Sequence, residues 1–248
     1  MLAKPFVPKM PASDRVRRVV ATGIGSSEAQ ARYFAWLLNT FTDIPACFVP
    51  LAAFVVPVGP WAADRTLAVF SQGLSSNARL ALDQAGAFTH TLVFTSATEA
   101  GQQAAGRPDR ADLLARLVKA GAEIVPFPIE DEYTLLIRII GPACGFVAAH
   151  QFVEALPGSR LPRLAPQADP LLRLAESSIG AALGADLVSQ TDGWRSGGVI
   201  LLPAPAGEFA QNVAFKFVEG LFWGAPVLIE ALQLGHGPFQ QLAASPKP

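Results

Sequence analysis

The stretch that decides the fold is Arg18-Val-Val-Ala-Thr-Gly-Ile-Gly-Ser-Ser27. It joins a short apolar run to a glycine-rich turn, and an amphipathic segment continues over residues 27–38. An apolar run of this length is typical of a buried strand, while the amphipathic spacing indicates a helix. The sequence therefore predicts a strand, a turn and a helix of an α/β protein at this point.

The same alternation repeats along the chain. Further strands are predicted at residues 66–70, 90–95 and 123–127, and further helices at 77–85, 109–120 and 133–156. Strands that are joined through helices run in the same direction, because the helix carries the chain back to the start of the sheet. The order of elements therefore predicts a parallel sheet with helices on both faces.

A proline-rich segment at residues 157–166 breaks this alternation. We therefore predict an N-terminal arm at residues 1–16, a first domain at 17–156, a linker at 157–168 and a second domain at 169–248. The second domain holds a predicted helix to about residue 188, a strand at 198–202, a helix at 207–222 and an apolar run at 226–229. A domain of about 80 residues buries proportionately little surface, so we expect it to pack against the first domain or another subunit.

Composition narrows the classes of function. Hydrophobic residues make up 51% of the 248 residues and charged residues only 16%, which favours a buried core without disulfides. Nineteen basic and 20 acidic residues give a net charge of −1 without a basic cluster, so we expect no nucleic-acid partner. The mean hydropathy of +0.34 is high for a lone monomer and favours a homodimer or larger oligomer.

Cysteine and histidine usage argues against a metal site. Cys47 and Cys144 are far apart in the sequence, and the three histidines are scattered. Residues 44–63 carry no charge, yet their four prolines would remove backbone donors from a membrane-spanning helix. The N-terminus has no continuous apolar segment typical of a signal peptide. We expect a cytoplasmic protein without a membrane segment.

Two turns place polar groups after predicted strands. They are Gly23-Ile-Gly-Ser-Ser27 and Ser71-Gln-Gly-Leu-Ser-Ser-Asn77. Backbone amides and hydroxyls at such turns meet the positive end of the following helix, where an anion can bind. The candidate ligand-binding residues are Ser26, Ser27, Ser71, Gln72, Ser75 and Ser76. The alternative is that Ser26 and Ser76 only cap their helices.

Three residues of the second domain are candidates for catalysis. Lys216 and Glu219 lie three residues apart, on one side of the predicted helix, where the alternative is an ordinary surface ion pair. Gly235-His-Gly-Pro238 displays an imidazole 17 residues after Glu219, and histidine suits proton transfer or ring opening near neutral pH. His90 and His150, by contrast, are interpreted as structural histidines of a strand and an apolar helix.

Taken in order, these motifs resemble those of sugar isomerase (SIS) domain proteins, in particular the isomerase part of glucosamine-6-phosphate synthases. The resemblance implies a flavodoxin-like parallel sheet flanked by helices, followed by a shortened second SIS-like half. It implies phosphate contacts at the serine-rich turn, which here has Gly73 where the family has a serine. The residues matched to phosphate contacts are Ser27, Ser71, Gln72 and Ser76.

The resemblance also implies a reaction. Glu219 would move a proton between C1 and C2 of an open-chain sugar, Lys216 would contact the sugar, and His236, from a neighbouring subunit, would assist ring opening. The predicted function is therefore an aldose-ketose isomerase of a phosphosugar, which needs no metal or other cofactor. The alternatives are a phosphosugar-sensing module without catalysis and a deaminase or deglycase of an amino sugar.

Overall fold

The computed structural model describes residues 15–127, 129, 140–164, 173, 176–189, 191–195, 197–202 and 207–235. The chain divides into two compact units, Met1–Leu171 and Leu172–Pro248. The limits predicted for the arm, the linker and the two domains stay predictions, because residues 1–14 and 165–168 lie outside the described residues.

The first unit contains one parallel sheet. Its strands are β1 (Val19–Thr22), β2 (Ala46–Phe48), β3 (Thr66–Phe70), β4 (His90–Thr95) and β5 (Glu123–Pro126). They lie in the order β2-β1-β3-β4-β5, and every neighbouring pair is parallel. This is the strand order of the flavodoxin-like fold, so the predicted fold class is confirmed.

Helices connect these strands. They are α1 (Ser26–Phe41), α2 (Arg79–Leu82), α3 (Glu99–Ala104), α4 (Pro108–Lys119) and α5 (Ile140–Glu154). The continuous helix predicted at residues 77–85 is wrong, because only α2 is α-helical there and 3-10 turns flank it. The Gln84 side chain instead bonds to the backbone of Phe54 and Val58, which holds that earlier segment beside the helix. The predicted start of the last helix, at 133–139, lies outside the described residues.

The sheet is buried on both faces, which explains why its strands are continuous apolar runs. Phe70 and Phe94 are paired in register, and their rings stack with centroids 4.2 Å apart on the face covered by α1 and α5. Leu67 and Val69 alternate with Phe70 along β3 and pack on the opposite face, beside α2 and α4. The period of two along the strand thus supplies two separate cores.

The second unit contains a two-stranded parallel sheet, β6 (Val199–Leu202) and β7 (Val227–Glu230). Its helices are α6 (Ser178–Ser189), α7 (Thr191–Trp194), α8 (Gly207–Glu219) and α9 (Ala231–Gly235). The helix predicted to reach residue 222 ends at Glu219, where the amides of Gly220 and Leu221 both bond to the Lys216 carbonyl. Across the described residues of both units, no helix is long and apolar enough to cross a membrane.

Candidate functional site

The strand order creates a crevice at the carboxyl ends of β1 and β3. β1 and β3 are neighbours, although β2 lies between them in sequence. The helix that follows β1 packs on one face of the sheet, and the helix that follows β3 packs on the other. Ligands of open parallel sheets bind where neighbouring connections diverge in this way.

A cavity of about 360 Å³ lies at this crevice. Four predicted ligand-binding residues line it, namely Ser27, Ser71, Gln72 and Ser75. Ser26 and Ser76 belong to the same turns but are not among the lining residues. The structure therefore brings the two predicted turns together at one site, while the assignment of each residue to a ligand stays a prediction.

The first turn leads directly into α1. Gly25 is the N-cap residue with a φ of 60°, a conformation that glycine adopts at little cost, and no side chain caps the helix. The alternative interpretation of Ser26 as the cap is therefore wrong. Ser76 is likewise the first residue of a 3-10 turn whose N-cap is Ser75, again without a side-chain cap bond. Neither Ser26 nor Ser76 is the N-cap residue of its helix, so the cap interpretation does not account for the serines of these turns.

The second turn is fixed by hydrogen bonds to the end of β4. The carbonyl oxygen of Gln72 accepts from Thr95 Oγ1 at 3.0 Å, from Ser96 Oγ at 2.8 Å and from the Ser96 amide at 3.0 Å. Ser71 Oγ accepts from the Ser75 amide at 3.2 Å. Leu74 adopts a φ of 50°, and its side chain is buried in the core. The turn is thus held by both polar and apolar contacts.

Helix α5 sets the position of the Gln72 side chain. A Cβ atom built on Gly141 would overlap the amide group of Gln72. Four residues further along α5, a Cβ on Gly145 would overlap the amide of Gln30, which donates to the Pro142 carbonyl at 2.9 Å. Glycine at these two positions therefore lets α5 approach the cavity-lining turn and α1 closely.

Asn77, the last residue of the second predicted turn, also lines the cavity. Four further polar residues of the cavity wall were missed by the sequence reasoning, namely Ser96, Gln102, Arg107 and Arg110. Arg110 Nη1 donates to the Gly73 carbonyl at 2.7 Å. Polar residues that follow a parallel strand lie at the carboxyl edge of the sheet, and this rule predicted the first two turns. It could also have found most of the missed residues, because β4 ends at the same edge and the chain continues from Ser96 to Arg110.

The two candidate catalytic residues that the structure describes lie in the second unit. Lys216 Nζ is 3.6 Å from Glu219 Oε2 on α8, and the two side chains are 16% and 52% exposed. This pair is compatible with both the catalytic interpretation and the ordinary ion pair. His236 lies outside the described residues.

The other two histidines are parts of the first unit's framework. His150 Nε2 lies 3.0 Å from the Pro162 carbonyl, which can only accept, so this nitrogen carries a proton. His150 Nδ1 lies 3.2 Å from the Tyr33 hydroxyl, and burial raises the pKa of Tyr33 to about 12. His90 is buried at the start of β4, with Nε2 3.4 Å from Glu123 Oε2. Neither residue is among those that line the cavity.

Comparisons with known proteins give matches at the level of structure. No protein-family model and no curated protein matches the sequence. The chain is similar to the C-terminal domain of glucosamine-fructose-6-phosphate aminotransferase from Francisella tularensis, with a TM-score of 0.65 and 11% identity over 92% of this chain. It is also similar to tagatose-6-phosphate ketose/aldose isomerase from Escherichia coli, with a TM-score of 0.63 and 16% identity over 91% of this chain.

A third similar structure is glucosamine-6-phosphate deaminase from Thermotoga maritima, with a TM-score of 0.55 and 17% identity over 99% of this chain. The chain spans 62%, 60% and 69% of these three structures, respectively. Its fold is that of a doubly wound α/β protein with a crevice at the point where the strand order reverses. More narrowly, it has the fold of the sugar isomerase domain, and the predicted resemblance is confirmed for the fold.

Proposed function

We propose that the chain binds a phosphorylated sugar in the cavity of the first unit and interconverts its aldose and ketose forms. The observation that carries the proposal is the composition of the cavity wall. Serine hydroxyls, amide groups and two arginines line it, and no carboxylate is among the lining residues within the described part of the chain. Such a wall suits an anion that also carries hydroxyl groups. Two of the similar structures are named for hexosamine-phosphate chemistry and one for a ketose/aldose isomerase.

In the proposed reaction, Glu219 acts as the base. Its carboxylate removes the proton from the carbon next to the carbonyl of the open-chain sugar and returns it to the neighbouring carbon. Lys216 contacts the sugar oxygens. His236 assists ring opening by passing the proton of the anomeric hydroxyl to the ring oxygen, so that the ring bond breaks and the carbonyl forms with no net change in protons. The half-exposed carboxylate of Glu219 is reachable by a ligand, and the ammonium of Lys216 lies beside it.

We further propose that the active form is a cytoplasmic homodimer or larger oligomer in which subunits share sites. Many large apolar side chains of the second unit are exposed in the single chain. They include Ile179, Val188, Leu201, Phe209, Phe222 and Leu232. Contact with another subunit would remove this apolar surface from water and could bring His236 to a neighbouring site.

Proton exchange tests the proposed reaction directly. The full chain is incubated in heavy water with fructose 6-phosphate, glucosamine 6-phosphate and related sugar phosphates, and loss of the C1 or C2 proton signal is followed by NMR. We expect Glu219→Gln to lower the exchange rate by a factor on the order of 100 or more while the ligand still binds. Glu208→Gln makes the same chemical change at the other end of α8 and is expected to retain exchange. Full exchange by Glu219→Gln would contradict the mechanism.

The same assay separates the two alternative functions. Saturable binding without exchange by the wild-type protein would favour a sensing module. The observation that supports this alternative is Gly73, which has no hydroxyl where the resembled family has a serine. Release of ammonia from glucosamine 6-phosphate would favour a deaminase, the activity for which the Thermotoga maritima structure is named.

A further inference from the structure

Two arginines lie in the first turn of α4, where a helix disfavours positive charge. Arg107 is the N-cap residue and Arg110 the third residue of the helix, and both line the cavity. The amino end of a helix carries partial positive charge, so cations in the first turn are destabilising unless an anion lies nearby. Among the described residues, neither arginine forms an ion pair with a carboxylate. Asp109 lies in the same turn, but its described ion pair is with Arg79 and it is not among the residues that line the cavity. The two arginines therefore give the described cavity wall positive charge without a carboxylate beside it.

Arg110 is also held in place beside the serine-rich turn. Its Nη1 donates to the Gly73 carbonyl at 2.7 Å, and the same atom is 3.7 Å from where a Cβ on Gly73 would lie. A guanidinium has five N–H donors, so one bond to Gly73 leaves others directed elsewhere. The guanidinium thus lies beside Gly73, the position of this turn that has no side chain to contact a ligand.

Gln102 gives a second, independent indication of a ligand. Its side chain on α3 lines the cavity and is 7% exposed. Within the described part of the chain, its Oε1 is buried and has no hydrogen-bond partner. An unpaired buried acceptor is costly, typically about 1–3 kcal/mol, so the site is incomplete without a donor. A ligand hydroxyl or amine would supply it once the Gln102 side chain rotates, because Oε1 is closed to water-sized groups in the conformation described.

We infer that Arg110 is the charged anchor for the anionic group of the ligand and that Gln102 Oε1 accepts from a hydroxyl of the same molecule. The inference rests on the proposed function and adds to it the residues that select the ligand. The ligand class is a phosphate monoester with a hydroxyl or amine within reach of Gln102. Arg110 supplies a charge-assisted contact in place of a neutral hydroxyl, which is roughly twice as strong.

Titration calorimetry of the full chain with inorganic phosphate tests the role of Arg110. We expect Arg110→Gln to weaken phosphate binding on the order of tenfold or more. Arg116→Gln removes the same charge from an exposed position of α4 that does not line the cavity, and should bind as the wild type does. Arg110→Lys keeps the charge and should recover part of the affinity. The wild type should also lose more affinity with added salt than Arg110→Gln does.

Fructose 6-phosphate tests the role of Gln102. Gln102→Met keeps the side-chain length and removes the acceptor, so it should weaken fructose 6-phosphate binding several-fold and leave inorganic phosphate binding unchanged. Thermal unfolding of each variant shows whether it still folds.

Three results would overturn the inference, and each has a different consequence for the proposed function. Unchanged phosphate binding by Arg110→Gln would remove Arg110 as the anchor, while proton exchange by the wild type would preserve the proposed function. Equal losses for Arg110→Lys and Arg110→Gln, with unaltered salt dependence, would show that Arg110 only holds Gly73. Failure of the wild type to bind either probe would overturn both proposals.

Discussion

The sheet of the first unit is covered on both faces, whereas the sheet of the second unit is only partly covered. Every residue of β3 and β4 is buried, but only Leu202 is buried among the residues of β6 and β7. Both units use the same strand-helix-strand pattern, so the pattern alone does not decide burial. Five strands with helices on both sides can enclose two cores, and two strands with few neighbours cannot.

Because of this difference in burial, the two units can contribute to a site in different ways. The first unit has a packed framework that can hold cavity residues in place without a ligand. The second unit presents Glu219 and Lys216 on α8 within a small structure that leaves much apolar surface exposed. Burial, rather than sequence pattern, should therefore decide how each unit responds to a substitution.

The largest effect is expected from truncating the aromatic core of the first unit. Phe94 contacts Phe34, Phe70 and Phe152 and is fully buried. Phe94→Ala should lower the free energy of unfolding by about 3–5 kcal/mol in urea titrations. Phe222→Ala removes the same group from an 80% exposed position of the second unit, and in the dissociated single chain, at dilution, it should change the free energy of unfolding by less than about 0.5 kcal/mol. Similar losses for both variants would contradict the comparison.

The next effect concerns the proposed contact between subunits. Leu201 lies on β6 and is 52% exposed in the single chain. If another copy covers it, Leu201→Lys should weaken assembly by about 2 kcal/mol or more and lower the mass measured by light scattering at a given concentration. Val118→Lys places the same charge at a 51% exposed site of the first unit and should leave the mass unchanged. A wild-type monomer at all concentrations would rule out the proposed oligomer.

A smaller effect is expected where α5 meets the cavity. Gly141→Ala places a methyl group against the Gln72 amide, so either α5 or that amide must move. Such overpacking typically costs about 1–3 kcal/mol. We expect weaker binding of inorganic phosphate, measured by calorimetry. Gly184→Ala on α6 meets no neighbouring atom and serves as the control. Unchanged binding by Gly141→Ala would show that the Gln72 side chain is not part of the site.

The smallest effect is expected from Tyr33, which links α1 to His150 on α5. Tyr33→Phe removes this hydrogen bond and should cost about 1 kcal/mol of stability. Burial raises the pKa of Tyr33 from 10.0 to about 12, so folding favours the neutral phenol. Its contribution is full below pH 10 and is lost as the pH rises toward 12.

Absorbance titration can resolve this tyrosine, because the chain has only two. Tyr33→Phe should remove the phenol that ionises at a higher pH than an ordinary tyrosine. If Tyr33→Phe instead removed a phenol with the ordinary tyrosine pKa, burial would not have the effect on Tyr33 that is assigned to it.

Much of the first unit could be predicted from the sequence, because its strands are apolar on both faces. The runs at β3 and β4 were predicted at the residues where the structure has them. Helix ends were harder, since the bonds made by Gln84 to Phe54 and Val58 depend on distant segments. The two polar turns followed from their place after strands, and the strand order brings residues of both to one cavity, while their role toward a ligand stays a prediction.

The position of residues 96–110 after β4 could have pointed to the rest of the candidate site, but the contacts that those residues make are encoded by no local pattern. Arg110 is 37 residues from Gly73 in sequence, and only the packing of α4 beside the turn brings them together. The unpaired Oε1 of Gln102 is visible only once burial is known. Serine suits both a helix cap and a ligand contact, so the sequence left both interpretations open for Ser26. The N-cap at Gly25 excludes the helix cap and leaves the ligand contact untested.

The three hydrogen bonds on the Gln72 carbonyl have a consequence for the rate of ligand capture. A turn already fixed to the end of β4 needs no ordering when a ligand arrives. Association at this turn can therefore occur in one step, with an on-rate governed by diffusion and by charge attraction at the two arginines. Slow phases in a binding or turnover experiment would then have to originate outside the turn, in chemistry, in product release or in assembly.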